Sequence, residues 1–367
     1  MSLANPFNNT LKELHILYIM LQITQKSKRT LVMTGGGTAG HVIPNIALLP
    51  LLEPHFTIHY IGSANGIERT LIAAHPQITY HAIQTAKLRR SLSPKSIASN
   101  IATPLRVMSG IARAKKILRT IKPDLVFSKG GFVAYPVVRA AASLKIPAII
   151  HESDLTMGLA NRMSARHATQ VLKTFNGDGT PIRRQIYRGW RENIDYNFTN
   201  QKNLLVVGGS LGASVINSAI INSTKILTDD GWNILHICGR NKVNNNANVK
   251  NYVQLEYMDN IHDALAWADV VVSRAGSNAL CELIVLGKPT LFTPLATGRG
   301  DQIQNAKFIE SKNAAVVLPE SQLTPRTLVE NIDNVFKDKE KLSKNALELG
   351  KTLDGTKGIA HAIIDKF

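Results

Sequence analysis

Arg29-Thr30-Leu31-Val32-Met33-Thr34-Gly35-Gly36-Gly37-Thr38-Ala39-Gly40-His41-Val42-Ile43-Pro44 is the stretch on which the fold turns. Residues 29–33 read as a short buried strand, and residues 42–49 as the opening of a helix. Between them lies a glycine-rich turn, where backbone N–H groups converge with no side chains in the way. Such a place suits a phosphate or another oxyanion. The turn ends in His41, the side-chain type best suited to move a proton near neutral pH. Asn203-Leu204-Leu205-Val206-Val207-Gly208-Gly209-Ser210-Leu211-Gly212-Ala213-Ser214 repeats the plan of apolar strand, Gly-Gly turn and helix.

Outward from the first turn, residues 56–62, 78–83, 124–128 and 146–150 read as further strands, by alternation and β-branching. Helical stretches separate them, which implies right-handed βαβ units and a parallel sheet. After the second turn, strands follow at 232–238, 252–255, 270–273 and 290–293. Residues 184–202 lack a clear period and read as the connection between two halves. The expected architecture is α/β, with two doubly wound domains in series facing each other across a cleft. Polar clusters sit at the carboxyl ends of strands, where open α/β sheets bind ligands.

A length of 367 residues fits two domains better than one core. Cys238 and Cys281 give neither a zinc spacing nor a disulfide framework, which points to a reducing compartment. Residues 14–23 form the longest apolar stretch near the start, too short to span a bilayer and without a signal-peptide cleavage site. Residues 1–28 read as an N-terminal extension. The net charge of +17 demands an acidic partner. Much of it comes from residues 81–122, which carry Lys87, Arg89, Arg90, Lys95, Arg106, Arg113, Lys115, Lys116, Arg119 and Lys122 and no Asp or Glu. Thr103 and Pro104 open a helix there, whose Val107, Ile111, Ala114, Leu118 and Ile121 form a stripe toward a core. Arg106, Arg113 and Lys116 fall on another face, which is either solvated or turned to an anionic lipid or pyrophosphate.

Three constellations carry chemistry. Arg274-Ala275-Gly276-Ser277-Asn278-Ala279-Leu280-Cys281-Glu282 follows a strand and opens a helix whose start can hold a diphosphate through Ser277 and backbone amides. Glu282, a turn further on, can accept both hydroxyls of a ribose; the plainer reading is a capping carboxylate. Arg299-Gly300-Asp301-Gln302 with Asn305 opens another helix with groups suited to sugar hydroxyls, or simply capped by Asp301. His41 closes the first Gly turn. There is no G-x-x-x-x-G-K-[ST], which speaks against an ATPase. His151, Glu152 and Asp154 lie too close along one loop to read as a metal cage, so charge on a leaving diphosphate is expected to be offset by helix dipoles and Arg or Lys, with no cofactor and no essential metal.

Eight segments carry a resemblance, in order: Gly36-Gly37-Thr38-Ala39-Gly40-His41-Val42-Ile43-Pro44, Lys87-Leu88-Arg89-Arg90, Gly130-Gly131-Phe132, His151-Glu152-Ser153-Asp154, Thr180-Pro181-Ile182-Arg183, Gly208-Gly209-Ser210-Leu211-Gly212-Ala213, Ser273-Arg274-Ala275-Gly276 with Glu282, and Asp301-Gln302 with Asn305-Ala306. Over residues 29–365 the chain resembles the MurG family, the UDP-N-acetylglucosamine:undecaprenyl-pyrophosphoryl-MurNAc-pentapeptide N-acetylglucosaminyltransferases of peptidoglycan synthesis. The resemblance implies a GT-B fold of two Rossmann-like domains. It implies inverting transfer of N-acetylglucosamine from UDP-GlcNAc to the C4 hydroxyl of MurNAc in lipid I, giving lipid II and UDP. It also implies a peripheral place on the cytoplasmic face of the bacterial cell membrane.

By the same resemblance, residues 29–184 take lipid I, residues 185–349 take UDP-GlcNAc, and residues 350–367 return to the first domain. Donor positions fall on Gly37, Thr38, Ala39, Asp154, Arg183, Ser210, Met258, the segment Ser277, Asn278, Ala279, Leu280, Cys281 and Glu282, and Gln302. Arg274 and Gly276 stand at the phosphate-holding helix start. His41 corresponds to the proposed general base. Lys87, Arg89, Arg90, Arg106, Arg113 and Lys116 would meet the membrane or the acceptor. The chain departs from the family at Ala39, usually Gly, and at His151-Glu152-Ser153-Asp154, usually His-Glu-Gln-Asn; Asp154 lacks an amide donor, so its contact to the sugar must be as an acceptor. Residues 1–28 have no counterpart.

Rival readings are a transferase acting on another lipid, a UDP-sugar 2-epimerase, and a binder of nucleic acid or another anionic surface. The basic block at 81–122 argues against the epimerase. The absence of aromatic–basic interleaving argues against nucleic acid.

Overall fold

The computed structural model describes residues 28–85, 103–209, 212–244 and 249–366. Lys87, Arg89, Arg90, Ser210 and the extension at 1–27 lie outside the described residues.

The first half contains β1 (Arg29–Thr34), α1 (Ile43–Leu52), β2 (Phe56–Ser63), α2 (Ile67–Ala73), β3 (Thr79–Ile83), α3 (Thr103–Ile121), β4 (Leu125–Ser128), α4 (Ala134–Ser143), β5 (Ala148–Glu152), α5 (Leu159–Ala165) and β6 (Gln170–Lys173). The second contains β7 (Lys202–Val207), α6 (Ser214–Asp229), β8 (Trp232–Ile237), β9 (Tyr252–Leu255), α7 (Ile261–Trp267), β10 (Val270–Ser273), α8 (Ser277–Val285), β11 (Thr290–Phe292), α9 (Asp301–Glu310), β12 (Val316–Val317), α10 (Pro325–Lys337), α11 (Lys339–Leu353) and α12 (Thr356–Ile364).

Two six-stranded sheets result. Their orders are β3-β2-β1-β4-β5-β6 and β12-β11-β10-β7-β8-β9. Every pairing is parallel. Renumbered within each sheet, both run 3-2-1-4-5-6, the doubly wound order. The strand order reverses beside β1 and beside β7, so each Gly turn lies where such sheets leave a crevice.

Buried-both-sides strands explain the sequence. Leu31, Val32 and Met33 of β1 are fully buried, as are Leu204, Leu205 and Val206 of β7. Alternate residues serve opposite layers: Leu31 and Met33 join the core with α1, while Val32 joins the core with α3 and α4. In α3 the stripe closes on Gly110, Ala114, Ile117 and Leu118, with Val107, Ile111 and Ile121 half-buried.

The last helix crosses back. Ile359, Ala360 and Ile363 of α12 pack with Leu31, Leu48 and Leu52 in the first half's core, and Arg29 donates to Ile364 O at 2.9 Å. The chain thus passes between the sheets twice, at Thr180 and at residues 353–355. The passes are stitched together by Thr180 N to Leu353 O at 2.8 Å and Gly355 N to Thr180 O at 3.0 Å. They lie so close that a Cβ on Gly355 would stand 2.0 Å from Asp178 O.

Candidate active site

The first Gly turn is closed against its own half. Gly37 has φ +88°, and a Cβ there would stand 2.5 Å from the Phe132 ring. Glu68 of α2 is fully buried beneath the turn. It accepts from Gly37 N at 3.1 Å, Ser63 N at 2.9 Å and Ser63 Oγ at 2.5 Å. One turn amide is therefore already spent on an internal carboxylate, and a negative charge already stands behind the loop. That leaves the turn poorly suited to a phosphate. Gly37 and Thr38 are exposed, and Ala39 is half-exposed.

His41 ends this turn, half-buried. Its Nδ1 lies 3.0 Å from Lys129 O. A carbonyl only accepts, so Nδ1 carries the proton and Nε2 keeps its lone pair. Burial, and next the Lys129 charge, hold the imidazole below its ordinary range. The ring is therefore neutral near pH 7, in the tautomer and charge state of a general base.

Across the cleft, α8 begins after Gly276, which offers no side-chain cap. The first amides of a helix have no intrahelical acceptor, so this end presents N–H groups and positive dipole. Ser277 and Asn278 are half-exposed and Ala279 is exposed, whereas the side chains of Leu280 and Cys281 are fully buried and face the core. Any role of Leu280 and Cys281 in ligand contact falls to their backbone. Glu282 forms a two-pronged pair with Arg183, Nε to Oε1 at 2.6 Å and Nη2 to Oε2 at 2.6 Å. Met258 packs at the edge of the second half's core, half-buried.

Arg274 differs from the expectation. Its guanidinium turns away from the helix start, donating to Thr293 O at 3.0 Å and pairing with Glu320. An arginine that follows a buried strand has to find acceptors within the fold, and Glu320 supplies the charge match. The positive end of α8 is thus backbone, not guanidinium.

Two sets of bonds close the cleft. Asn278 Nδ2 donates to Gly40 O at 2.8 Å, next to His41, while its buried Oδ1 has no protein partner. Further along, Asn305 Nδ2 donates to Asp154 at 3.0 Å, and Asn305 Oδ1 accepts from Leu155 N at 2.9 Å. Thr156 Oγ1 donates to Asp301 at 2.7 Å, and Arg299 donates to Met157 O at 3.0 Å. Burial pushes the Asp154 carboxyl up from its ordinary range. Gln302 Oε1 accepts from Leu295 N at 3.0 Å, which fixes that loop over α9.

His41, Gly37, Thr38, Asn278, Asp154 and Gln302 are thus gathered at or beside the closed cleft. Arg106, Arg113 and Lys116 are not; they are exposed on α3. Beside them Leu105 and Met108 are 72% and 65% exposed, a pairing of apolar and basic groups on one helix. Arg113 also lines a cavity of about 300 Å³ with Ala64, Ala82, Ile83, Gln84 and Ser109. Among the described residues no helix is long and apolar enough to cross a membrane, and no group of three or more His, Cys, Asp or Glu is placed to hold a metal. Glu68 and Lys129 were missed by sequence reading. For Glu68 the available signal was an acidic residue in the first turn of a short helix after the second strand.

Two Rossmann-like sheets of one strand order, closing on a histidine from one side and a bare helix start from the other, define a GT-B glycosyltransferase. The models for the glycosyltransferase family 28 N-terminal and C-terminal domains match residues 31–173 and 203–361. The chain is 42% identical, over 87% of its length and 94% of the relative's, to the UDP-N-acetylglucosamine–N-acetylmuramyl-(pentapeptide) pyrophosphoryl-undecaprenol N-acetylglucosamine transferase of Clostridium novyi. It is 45% identical to the protein of the same name from Lachnoclostridium phytofermentans, over 84% of this chain and 91% of that one. The crystal structure of Acinetobacter baumannii MurG superposes with a TM-score of 0.72 at 26% identity, covering 93% of this chain and all of that one. The chain belongs to the MurG family within glycosyltransferase family 28.

Proposed function

We infer that this chain transfers N-acetylglucosamine from UDP-GlcNAc to the C4 hydroxyl of MurNAc in lipid I, releasing UDP and lipid II for peptidoglycan synthesis. The observation that carries the reading is the meeting of His41 and α8: the bond from Asn278 to Gly40 brings the helix start beside a neutral histidine with Nε2 free. In the proposed step, the acceptor oxygen attacks the anomeric carbon opposite the leaving UDP. Its proton passes to His41 Nε2. The bond from the anomeric carbon to the diphosphate oxygen breaks, and its electrons leave with UDP. The charge gathers at Ser277, Gly276 and the first amides of α8. Glu282, held by Arg183, accepts from ribose hydroxyls. Gly37, Thr38, Ala39, Asp154, Arg183, Ser210, Met258 and Gln302 complete the donor site.

We assign residues 29–184 to lipid I, 185–349 to UDP-GlcNAc, and 350–367 to the return onto the first domain. The exposed Leu105 and Met108 among Arg106, Arg113 and Lys116 support docking of α3 on an anionic membrane surface, the apolar groups entering and the cations remaining at headgroup level. The expected place is the cytoplasmic face of the cell membrane.

The deciding experiment measures UDP release from UDP-GlcNAc with and without lipid I. Release only with lipid I supports the transfer. Release without it, or conversion of the sugar with no acceptor present, rules it out. Sedimentation with vesicles containing anionic lipid should be weakened by salt and by Arg106→Glu with Arg113→Glu, with UDP binding intact.

A further inference from the structure

Lys129 is an unusual lysine. It follows β4 and is fully buried. Its Nζ lies 2.7 Å from His151 Nδ1 and 3.3 Å from Thr180 Oγ1. His151 Nε2 lies 2.7 Å from Gly179 O, so that nitrogen carries the ring proton and Nδ1 accepts from the lysine. Both contacts lead to one place. Gly179 and Thr180 form the first pass between the sheets, and Thr180 is bonded to Leu353 and Gly355 of the second. The lysine's own carbonyl is the acceptor that fixes His41 Nδ1. One residue therefore spans from the double crossing to the base.

We propose that Lys129 is a positioning residue for the transfer, holding the His41 ring by its carbonyl, setting the ring's basicity by its amine, and tying both to the crossing through His151 and Thr180. The proposal rests on His41 being the base.

The electrostatic setting is specific. Facing the Lys129 amine are His151 and Glu152 of β5, Asp154 beyond it, Cys281 of α8 and Thr180. Facing His41 are Lys129, Glu152 and Glu68. Burial pushes the amine down to about 7. Near neutral pH it is thus poised between a cation, which opposes a second positive charge on His41, and a neutral amine, which does not. His151, buried against Lys129, is held neutral and competes for no proton. A purely structural tie would hold the crossing together and leave the titration of His41 alone.

The test uses Lys129→Met, close in shape and without the charge. With lipid I and UDP-GlcNAc, kcat at pH 7 is expected to fall by on the order of tenfold with donor KM within about twofold. The acid limb of kcat/KM should move to higher pH, because the opposing charge is gone. The His41 ring nitrogens, followed by NMR in ring-labelled protein and assigned with His41→Gln, should titrate at higher pH in the same variant. In the parent, the His41 signals should show a second inflection as Lys129 loses its proton, a measurement needing no variant. An unchanged acid limb in Lys129→Met with only a lower Tm, or a single inflection in the parent, overturns the proposal. His41→Gln separates the two readings. If it turns over normally, His41 is not the base, whatever Lys129 does to its titration. If it is inactive while Lys129→Met leaves His41 unmoved, the coupling is what fails.

Discussion

Glu68, in the first turn of the helix after the second strand of its half, and Glu282, midway along the helix after the fourth strand of the other, are both buried glutamates and do different work. Glu68 is walled in by three protein donors, from Gly37 and Ser63, and stabilises a loop. Glu282 is gripped from one side by a single guanidinium. A carboxylate has about four acceptor sites, so two contacts leave it able to accept from a ligand. The same fold thus makes a closed turn ending in a neutral histidine in one half and an uncapped helix start in the other, the proposed places of the base and of the leaving diphosphate. What separates them is where the carboxylate's donors come from: loops of its own half in one case, the connection between halves in the other.

The comparison breaks first at His41. His41→Ala should lower kcat by about 10²- to 10⁴-fold and leave UDP affinity within about twofold, read by UDP release and calorimetry. Near-parental turnover would remove the base from the first half. The parent's kcat/KM should also hold down to pH values below the ordinary imidazole 6.5, since burial and Lys129 depress His41; protonation below that point stops the base. Next comes Glu282→Ala, which loses the proposed ribose acceptor and the partner of Arg183; UDP affinity should fall about 10- to 100-fold. Unchanged affinity would place the ribose elsewhere. Glu68→Gln should be milder on rate, at about tenfold, but should cost about 1–3 kcal/mol of stability in urea, whereas Glu282→Ala acts mainly on binding. If Glu68→Gln instead weakened UDP affinity as much as Glu282→Ala, the division between the halves would collapse. The smallest effect belongs to Asn278→Ala, which removes the bond to Gly40. A loss of about 1 kcal/mol should raise the donor KM about fivefold with kcat little changed.

Much of this is legible in the sequence. The strands beside the Gly turns are continuous apolar runs because parallel strands buried on both faces need no alternation, so β1 and β7 declare themselves. β6, reading Gln170-Val171-Leu172-Lys173, is an edge strand too short and polar to signal, and β12, the edge strand of the other sheet, is apolar but only two residues long. In α3 the expected stripe holds at Ala114 and Leu118, but Gly110 and Ile117 carry burial it omitted. The site divides the same way. His41 and the start of α8 stand out because glycine and helix signals are local. Burial of Lys129, the turning of Arg274 to Glu320 and the bond from Asn278 to Gly40 depend on residues far apart in sequence. A lysine or arginine reads as surface until its partners are known.

The return of α12 has a consequence for how the molecule is made. Residues 29–173 leave the ribosome before the second half, yet part of the cover for their core, Ile359, Ala360 and Ile363, is made only after it. The second half, whole once α11 has emerged, can close before the first. During synthesis the face of α1 that awaits α12 is exposed apolar surface, which favours aggregation until the cover arrives. A chain cut after residue 353 would keep that exposure for its whole life.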